Sequence, residues 1–483
     1  MKLKYIAYLW VIILTSSCNS DFLETNPTNQ VSDQVVFTTV EGAQTVLDGI
    51  SRRMRAAGQL HDQFGVKTTD LAMDLMSEDI SLSASHWFGL DHRFGNHLAT
   101  FPRTAYTWGL FYGIINNANS LISNIDGVKS TSVPLKNNLK AQAYALRGYS
   151  YFQLIQLYQF TYKGNENAPG VPIYTEASVE GAPRATVAEV YKQITADLDE
   201  AIRLFNANPV ARRHISDISA HVAKGLRARV ALVMQEWNIA ATMASEARQG
   251  YSLMSPEQYS AGFDNFTEQN WIWGLVINDE QSTTFGSWFS HMDWSLAGYC
   301  GAGFSRKNWS LALYNQMDNS DVRKKLIDIS QYEPLTNKNW IRPNKFSAGN
   351  GKGWAADYVL MRPEEMLLIE AEAKAWLGQE TTARGLLKLL RDNRYDRPVN
   401  ISAAGNQLIE EILLERRIEL WGEGFAALDL KRLKRGINRN NSNHLQLVAR
   451  QLLVPADDPR WLYKIPQAEI NANPWINEEH QNP

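Results

Sequence analysis

Apolar residues recur along most of this chain at three- and four-residue steps, the period that lines one face of an α-helix. After Thr38-x-x-Glu41, which reads as a capping box, the stripe Ala43, Leu47, Ile50 and Met54 predicts a first helix. A second is predicted from about Tyr106 to Ile125, with Ile114, Ala118, Leu121, Ile122 and Ile125 on one face. A third runs from about Leu135 to Tyr158 and carries Leu139, Ala143, Leu146 and Leu154. Thr186-x-x-Glu189 is another capping box, and Val190, Ile194, Leu198, Ala201 and Phe205 follow it at helical steps. Two later stretches look alike, "AHVAKGLRARVALVMQEWNIAATMASEARQG" and "EEMLLIEAEAKAWLGQETTARGLLKLLRDNR". Each predicts two alanine-rich helices joined by a short break. Small residues let paired helices approach closely, as tetratricopeptide hairpins require, although generic antiparallel helix pairs fit the same pattern.

The period lapses at about 77–105 and again at about 263–357, where glycine, serine, asparagine and aromatic residues take over. Such composition predicts irregular loops with a few short strands. Loops held on a rigid scaffold are where binding groups tend to lie. The fold class expected is therefore mostly α, a scaffold of helical hairpins with two loop-rich insertions.

The N-terminus follows a different pattern. Lys2 and Lys4 precede an apolar run, Tyr5 to Leu14, which is far shorter than the roughly 20 residues needed to cross a bilayer core of about 30 Å. Positive residues, a compact apolar stretch and then small residues form the layout of an export signal. Leu14-Thr15-Ser16-Ser17-Cys18 adds the Leu-x-x-small-Cys order of a lipobox, at which a bacterial lipoprotein is cleaved and acylated on cysteine. The expected division is a signal peptide at 1–17, a lipidated tether at 18–32 and one domain over 33–483. Several acyl chains on Cys18 would supply the more-than-one-chain signal that stable membrane attachment needs.

Composition narrows the classes further. With Cys18 lipidated, Cys300, the other of 2 cysteines, has no partner within the chain. The formal charge of -3 gives no hint of nucleic acid, which calls for a basic face. There is no His-Glu-x-x-His zinc helix, Gly-x-Ser-x-Gly elbow or full phosphate loop, so no metal or cofactor is expected. "AGNGKGW" reads as a mobile loop, and Asp318, Ser320 and Asp321 read as a helix N-cap rather than a calcium loop.

Candidate chemistry lies in the loops. Fifteen tryptophans exceed what a core needs, and flat rings cover the C–H faces of sugars while polar neighbours take the hydroxyls. "SHWFGLDHRFGNH" offers His86, Trp87, Phe88, Asp91, His92 and Arg93, and "FGSWFSHMDWSLAGYCGAGFSRKNW" offers Trp288, His291, Asp293, Trp294, Tyr299 and Trp309. Both segments could equally fold their rings over the core, and the second could face a protein partner. In "ERRIELWGEGFAALD", Glu415, Glu419, Glu423 and Asp429 suggest acid–base work. A glycosidase, however, needs two carboxylates facing each other across a cleft about 5 to 9 Å wide. Neighbours on one helix beside Arg416 and Arg417 fit an ion-pair network better.

Taken together, several segments resemble the SusD/RagB family of nutrient-binding surface lipoproteins. They are the lipobox with "CNSDFLETNPTNQ", then "WGLFYGIINNANSLISNI", "ALRGYSYFQLIQLY", "YVLMRPEEMLLIEAEAKA", "ILLERRIELWGEGFAALDLKRL" and the closing "YKIPQAEINANPWINEEHQNP". The resemblance implies a SusD-like fold of tetratricopeptide-like hairpins, anchored at the outer membrane and facing outward. It also implies a non-catalytic protein that holds a glycan over a TonB-dependent, SusC-like transporter for import. A RagB-type peptide binder is the alternative within the family, and a surface glycoside hydrolase the alternative outside it.

Overall fold

In the computed structural model the described residues are 36–95, 97–129, 132–267, 270–334, 336, 338–349 and 351–483. The expected signal peptide, Cys18 and the tether lie outside them. Helix α1 (Val40–Arg53) is followed by α2 (Lys67–Met76), α3 (Pro102–Asn124), α4 (Val133–Tyr158) and α5 (Val187–Ala207). Next come α6 (Ala220–Met234), α7 (Trp237–Ala247), α8 (Pro363–Trp376), α9 (Glu380–Arg394), α10 (Gly405–Glu419) and α11 (Ala426–Arg432). Each of α3 to α9 packs on the next in sequence, and α10 also lies against α8. The fold is mostly α, as the periodicity predicts.

The local sequence explains how these helices start and stop. Pro102 and Pro134 sit in the first turns of α3 and α4, where a missing amide costs no helical bond. At α5 the Glu189 amide donates to Thr186 Oγ1 (3.2 Å) and the Thr186 amide to Glu189 Oε2 (2.8 Å), completing the expected capping box. The expected box at α1 is corrected by one residue: Thr39, not Thr38, caps the helix, with Oγ1 accepting from the Gly42 amide at 3.0 Å. The chain is extended at Thr39, which puts its hydroxyl below the first free amides. Asp321 caps the short helical turn Val322–Leu326 by accepting from the Arg323 amide, so the N-cap reading of that segment holds.

The look-alike stretches do form antiparallel hairpins, α6–α7 and α8–α9, and they stack on each other through α7 and α8. Gln235 (φ 61°) reverses the first and Gly378 (φ 72°) the second. Gly225 on α6 is required by close approach, because a Cβ there would stand 2.3 Å from Met361 Sδ. A buried bidentate pair, Arg147 to Asp197 (2.8 and 2.6 Å), ties α4 to α5.

Short antiparallel ladders stitch the rest: β1 (Ile80–Leu82), β2 (Pro169–Pro172), β3 (Arg184–Thr186), β4 (Trp273–Leu275), β5 (Lys307–Trp309), β6 (Ile327–Asp328), β7 (Arg342–Pro343) and β8 (Tyr358–Met361). They pair as β1–β5, β2–β3, β4–β8 and β6–β7. The C-terminal segment crosses back over the helices. Arg439 donates to the Ser77, Leu75 and His92 carbonyls, and Asn482 Nδ2 donates to those of Tyr158 and Tyr463, both at 2.7 Å. The main core runs beneath all of this, and a satellite core of Leu367, Leu368, Leu387, Leu390 and Ile412 lies between α8, α9 and α10.

Candidate functional site

Both loop insertions meet at the β1–β5 ladder, where Ile80 pairs with Trp309 and Leu82 with Lys307. The pairing continues one step further: the Ser83 amide donates to the Arg306 carbonyl (3.1 Å) and the Arg306 amide to Ser83 Oγ (2.9 Å). Trp309 stacks on Trp421 at 4.7 Å between centroids and fixes this seam to the helices. More than two hundred residues apart in sequence, "SHWFG" and "AGYCGAGF" are thereby set side by side.

Tyr299 is the centre of what results. Around its ring lie those of His291 (4.9 Å), His86 (5.1 Å), Phe285 (5.5 Å), His61 (5.9 Å), Phe304 (6.0 Å) and Trp87 (6.1 Å). Its hydroxyl shares a 2.6 Å hydrogen bond with His61 Nδ1. Trp354 joins the edge of the group through Phe285 at 6.4 Å. Phe285 is 40 % and Phe304 54 % exposed, His61 and His86 are exposed, and Trp87, Tyr299 and Trp354 are half-buried. The mount beneath is rigid. The Tyr299 amide donates to Ser290 Oγ (3.2 Å), the Cys300 amide to the Ser290 carbonyl (2.8 Å), and buried His291 Nε2 lies 2.9 Å from the His61 carbonyl. Burial pushes the Cys300 thiol up to about 11, so it is a neutral core residue. Burial, and then the charge of Lys307, hold His86 below its ordinary value, which keeps it neutral near pH 7.

The structure separates the residues that the sequence singles out. His86, Trp87 and Tyr299 belong to the exposed ring group. Trp294 is half-buried, with Nε1 donating to the Lys307 carbonyl at 2.9 Å, and Arg93 is half-buried in the first insertion. Five others are corrected, because their side chains are buried in the scaffold. Phe88 packs on Phe64 and under the Arg103 guanidinium, 4.4 Å from its ring. Asp91 pairs with Arg103 at 3.1 Å, and Arg103 also holds Asp62 at 2.8 Å. Trp288 lies edge-on to Phe346 at 4.5 Å. Asp293 accepts from the Ser295 and Ala348 amides (2.6 and 2.7 Å) and braces the loop from within. Trp309 is the core stack already described. His92 and His291 are also fully buried. The loop at Lys352 is pinned rather than free: its amide donates to Asp264 Oδ2 (2.7 Å) and Nζ to Asp357 Oδ1 (2.6 Å).

The sequence by itself does not single out His61, Phe285, Phe304, Trp340 or Trp354 as site residues. All but His61 fall in the 263–357 insertion; a flanking glycine, serine or threonine is the signal available for Phe285, Phe304 and Trp354, whereas Trp340 stands between Asn339 and Ile341. His61 follows α1 in a turn whose composition carried none.

The carboxylates of "ERRIELWGEGFAALD", from the end of α10 to α11, are all engaged. Arg323 bonds Glu415 and Glu419 (2.6 Å to the latter), Arg362 bonds Glu419 (2.6 Å) and Glu423 (2.8 Å), and Arg394 bonds Glu419 (3.0 Å). Asp429 takes Arg416 (2.7 Å) and Arg432 (2.6 Å). Burial alone would raise Glu419, but Arg394, Arg362 and Arg323 outweigh it and hold the group well below the carboxylate range. This is the ion-pair network expected from the sequence, with Glu415, Glu419 and Glu423 buried and Asp429 half-buried; Glu423 and Asp429 line a cavity together with Arg416 and Arg432, but each is held there by its arginines.

Comparison with known proteins agrees with this architecture. Residues 21–232 match a family described as starch-binding and associating with the outer membrane, and residues 292–483 match the SusD family. A SusD-like protein of Formosa agariphila is 23 % identical, over 90 % of this chain and 93 % of its own length. The crystal structure of a SusD-like carbohydrate-binding protein from Bacteroides vulgatus superposes with a TM-score of 0.81 at 26 % identity, over 92 % of this chain and 98 % of that one. Surface glycan-binding protein A from Bacteroides thetaiotaomicron, solved with laminarihexaose, shares the fold at 17 % identity with a TM-score of 0.71, over 92 % of this chain and all of that one.

Proposed function

The chain belongs to the SusD/RagB family, whose members associate with the outer membrane, and from that premise we propose that it is a lipid-anchored surface receptor that holds an oligosaccharide for import. The ligand lies on the Tyr299 ring group, and this group is the observation that carries the reading. Sugar rings present apolar C–H faces that aromatic rings cover, while the imidazoles of His61 and His86 and the phenol of Tyr299 offer hydrogen bonds to hydroxyls. A mount braced by buried Asp293, His291 and Trp309 keeps these rings in place before the ligand arrives, which lowers the entropic cost of binding. The receptor does not cut what it holds. The carboxylates singled out in the sequence are bound by arginines or backbone amides, and glycoside hydrolysis needs a pair free to move protons. Delivery is to a TonB-dependent transporter of the SusC type, with Cys18 carrying the lipid.

The test is a panel of oligosaccharides and peptides offered to the full chain in detergent, with reducing ends assayed in parallel. Retention of a saccharide without release of reducing ends supports the reading. Retention of peptides alone supports the RagB-type alternative, and release of reducing ends identifies a hydrolase. Cys18→Ala should move the protein from the membrane fraction to the aqueous phase, whereas its retention with membranes would remove the lipid anchor from the account.

A further inference from the structure

The loop that carries the Tyr299 rings also carries a group of a different kind. Phe304 is 54 % exposed, Ser305 buried and Arg306 half-buried, in the turn that leads into β5. The Arg306 guanidinium carbon lies 4.1 Å from the Trp340 ring centre and 5.1 Å from that of Trp294. Gly303, at φ 87°, lets the guanidinium close over the backbone, since a Cβ there would stand 3.1 Å from Arg306 Nη2. Arg342 on β7 extends the row, its guanidinium carbon 6.0 Å from the Trp294 ring centre.

Stacking an arginine on a ring is common in this molecule, but elsewhere the arginine also meets an acceptor. Arg103 over Phe88 holds Asp91, Arg147 over Tyr144 holds Asp197, and Arg394 over Tyr259 holds Glu419. Arg229 and Arg416, both against Phe425, hold Glu365 and Asp429, and Arg439 over Phe94 donates to carbonyls. Among the described residues Arg306 and Arg342 have no such partner, and the Nε of each is buried without a hydrogen bond. Asp328, the cross-strand neighbour of Arg342, is close enough to feel its charge but makes no ion pair with it, and its Oδ1 accepts from the Ser330 amide at 2.8 Å. A half-buried guanidinium with no ion pair or acceptor of its own is disfavoured by lost hydration, most of all at Arg306, and this is relieved when an anion arrives. The tryptophan stack also fixes the plane of the guanidinium, leaving a donor fork ready for a carboxylate or sulfate.

We propose that Arg306 and Arg342 hold the anionic groups, carboxylate or sulfate, of an acidic saccharide whose sugar rings lie on the Tyr299 cluster. The inference rests on the glycan reading above and adds the class of glycan.

Calorimetric titration of the full chain in detergent with four probes tests it: oligogalacturonate for carboxylate, a carrageenan oligosaccharide for sulfate, and laminarin and malto-oligosaccharides as neutral controls. At least one acidic probe should bind about tenfold or more tightly than either neutral one, the factor expected of a charge-assisted fork, and added salt should erode the difference. Arg306→Gln and Arg342→Gln should each remove most of that advantage while leaving the Tm and any weak neutral binding in place. Which acidic probe is preferred names the anion. Should Arg306→Gln fail to fold, Arg342→Gln and the salt dependence carry the test. Neutral probes bound as tightly as acidic ones, or folded Arg→Gln variants with unchanged acidic affinity, would overturn this inference and leave the glycan reading intact. No saccharide bound at all would overturn both.

Discussion

Trp87 and Trp309 lie in loops of similar composition, and the sequence offers the same argument for each. One ring is half-exposed beside Tyr299, while the other is sealed against Trp421. Replacing Trp309 by Ala removes a full indole from a packed seam, so stability should fall by about 3–5 kcal/mol, read as a large drop in Tm or denaturant midpoint. Trp87→Ala should change the Tm little and weaken saccharide binding instead. A large loss of stability with intact affinity would reassign Trp87 to the core. Nothing local distinguishes the two residues, because inward or outward orientation in an aperiodic loop is set by what the loop folds against.

Helices were far more legible. The stripes at α3, α4 and α5, the two alanine-rich hairpins and the Thr186 cap follow from rules that operate within one or two turns of chain. Where two threonines stand together, as at Thr38 and Thr39, the direction from which the backbone enters decides which one caps, and composition does not encode it. Thr186→Ala should cost about 1 kcal/mol by freeing the reciprocal bonds with Glu189, seen as a lower urea midpoint with an unchanged m-value. No change in midpoint would mean that packing alone sets the start of α5. The β1–β5 ladder lies at the opposite extreme. Its strands are three residues each and join segments over two hundred positions apart, so neither strand carries a period long enough to read.

At the scale of the molecule, the C-terminal segment closes the structure over buried histidines. His92 stacks on His444 at 5.4 Å and His97 on Tyr463 at 5.2 Å. Burial brings His97 down to about 4 and His444 to about 3, and holds His92 and His291 well below their ordinary value. The unfolded chain takes up these protons near pH 6.5 and the folded chain does not, so their contribution is complete above that pH. It is lost as the pH falls toward the folded values, at about 1.4 kcal/mol per pH unit for each group. Glu415, Glu419, Glu423 and Asp429 are held low by their arginines despite burial. What they contribute is present above the unfolded carboxylate range and is lost only below it. In thermal melts the histidines should therefore pull the Tm down between pH 6.5 and 4, and the arginine-held carboxylates should add a steeper decline in stronger acid. Asp74, which burial pushes up to about 8, works the other way over the same range, so the check is the slope with His97 and His444 replaced by Gln: a Tm slope between pH 6.5 and 4 that the replacements leave unchanged would contradict the neutral, buried state of these histidines. By itself the sequence determined the helical scaffold, its hairpins, the arginine–carboxylate helix and the family, because each is written in short-range spacing or in ordered motifs. Only the tertiary structure decided which aromatic residues face solvent and which arginines go unpaired, because those outcomes depend on contacts between loops that have no period of their own and meet only once the helices have packed.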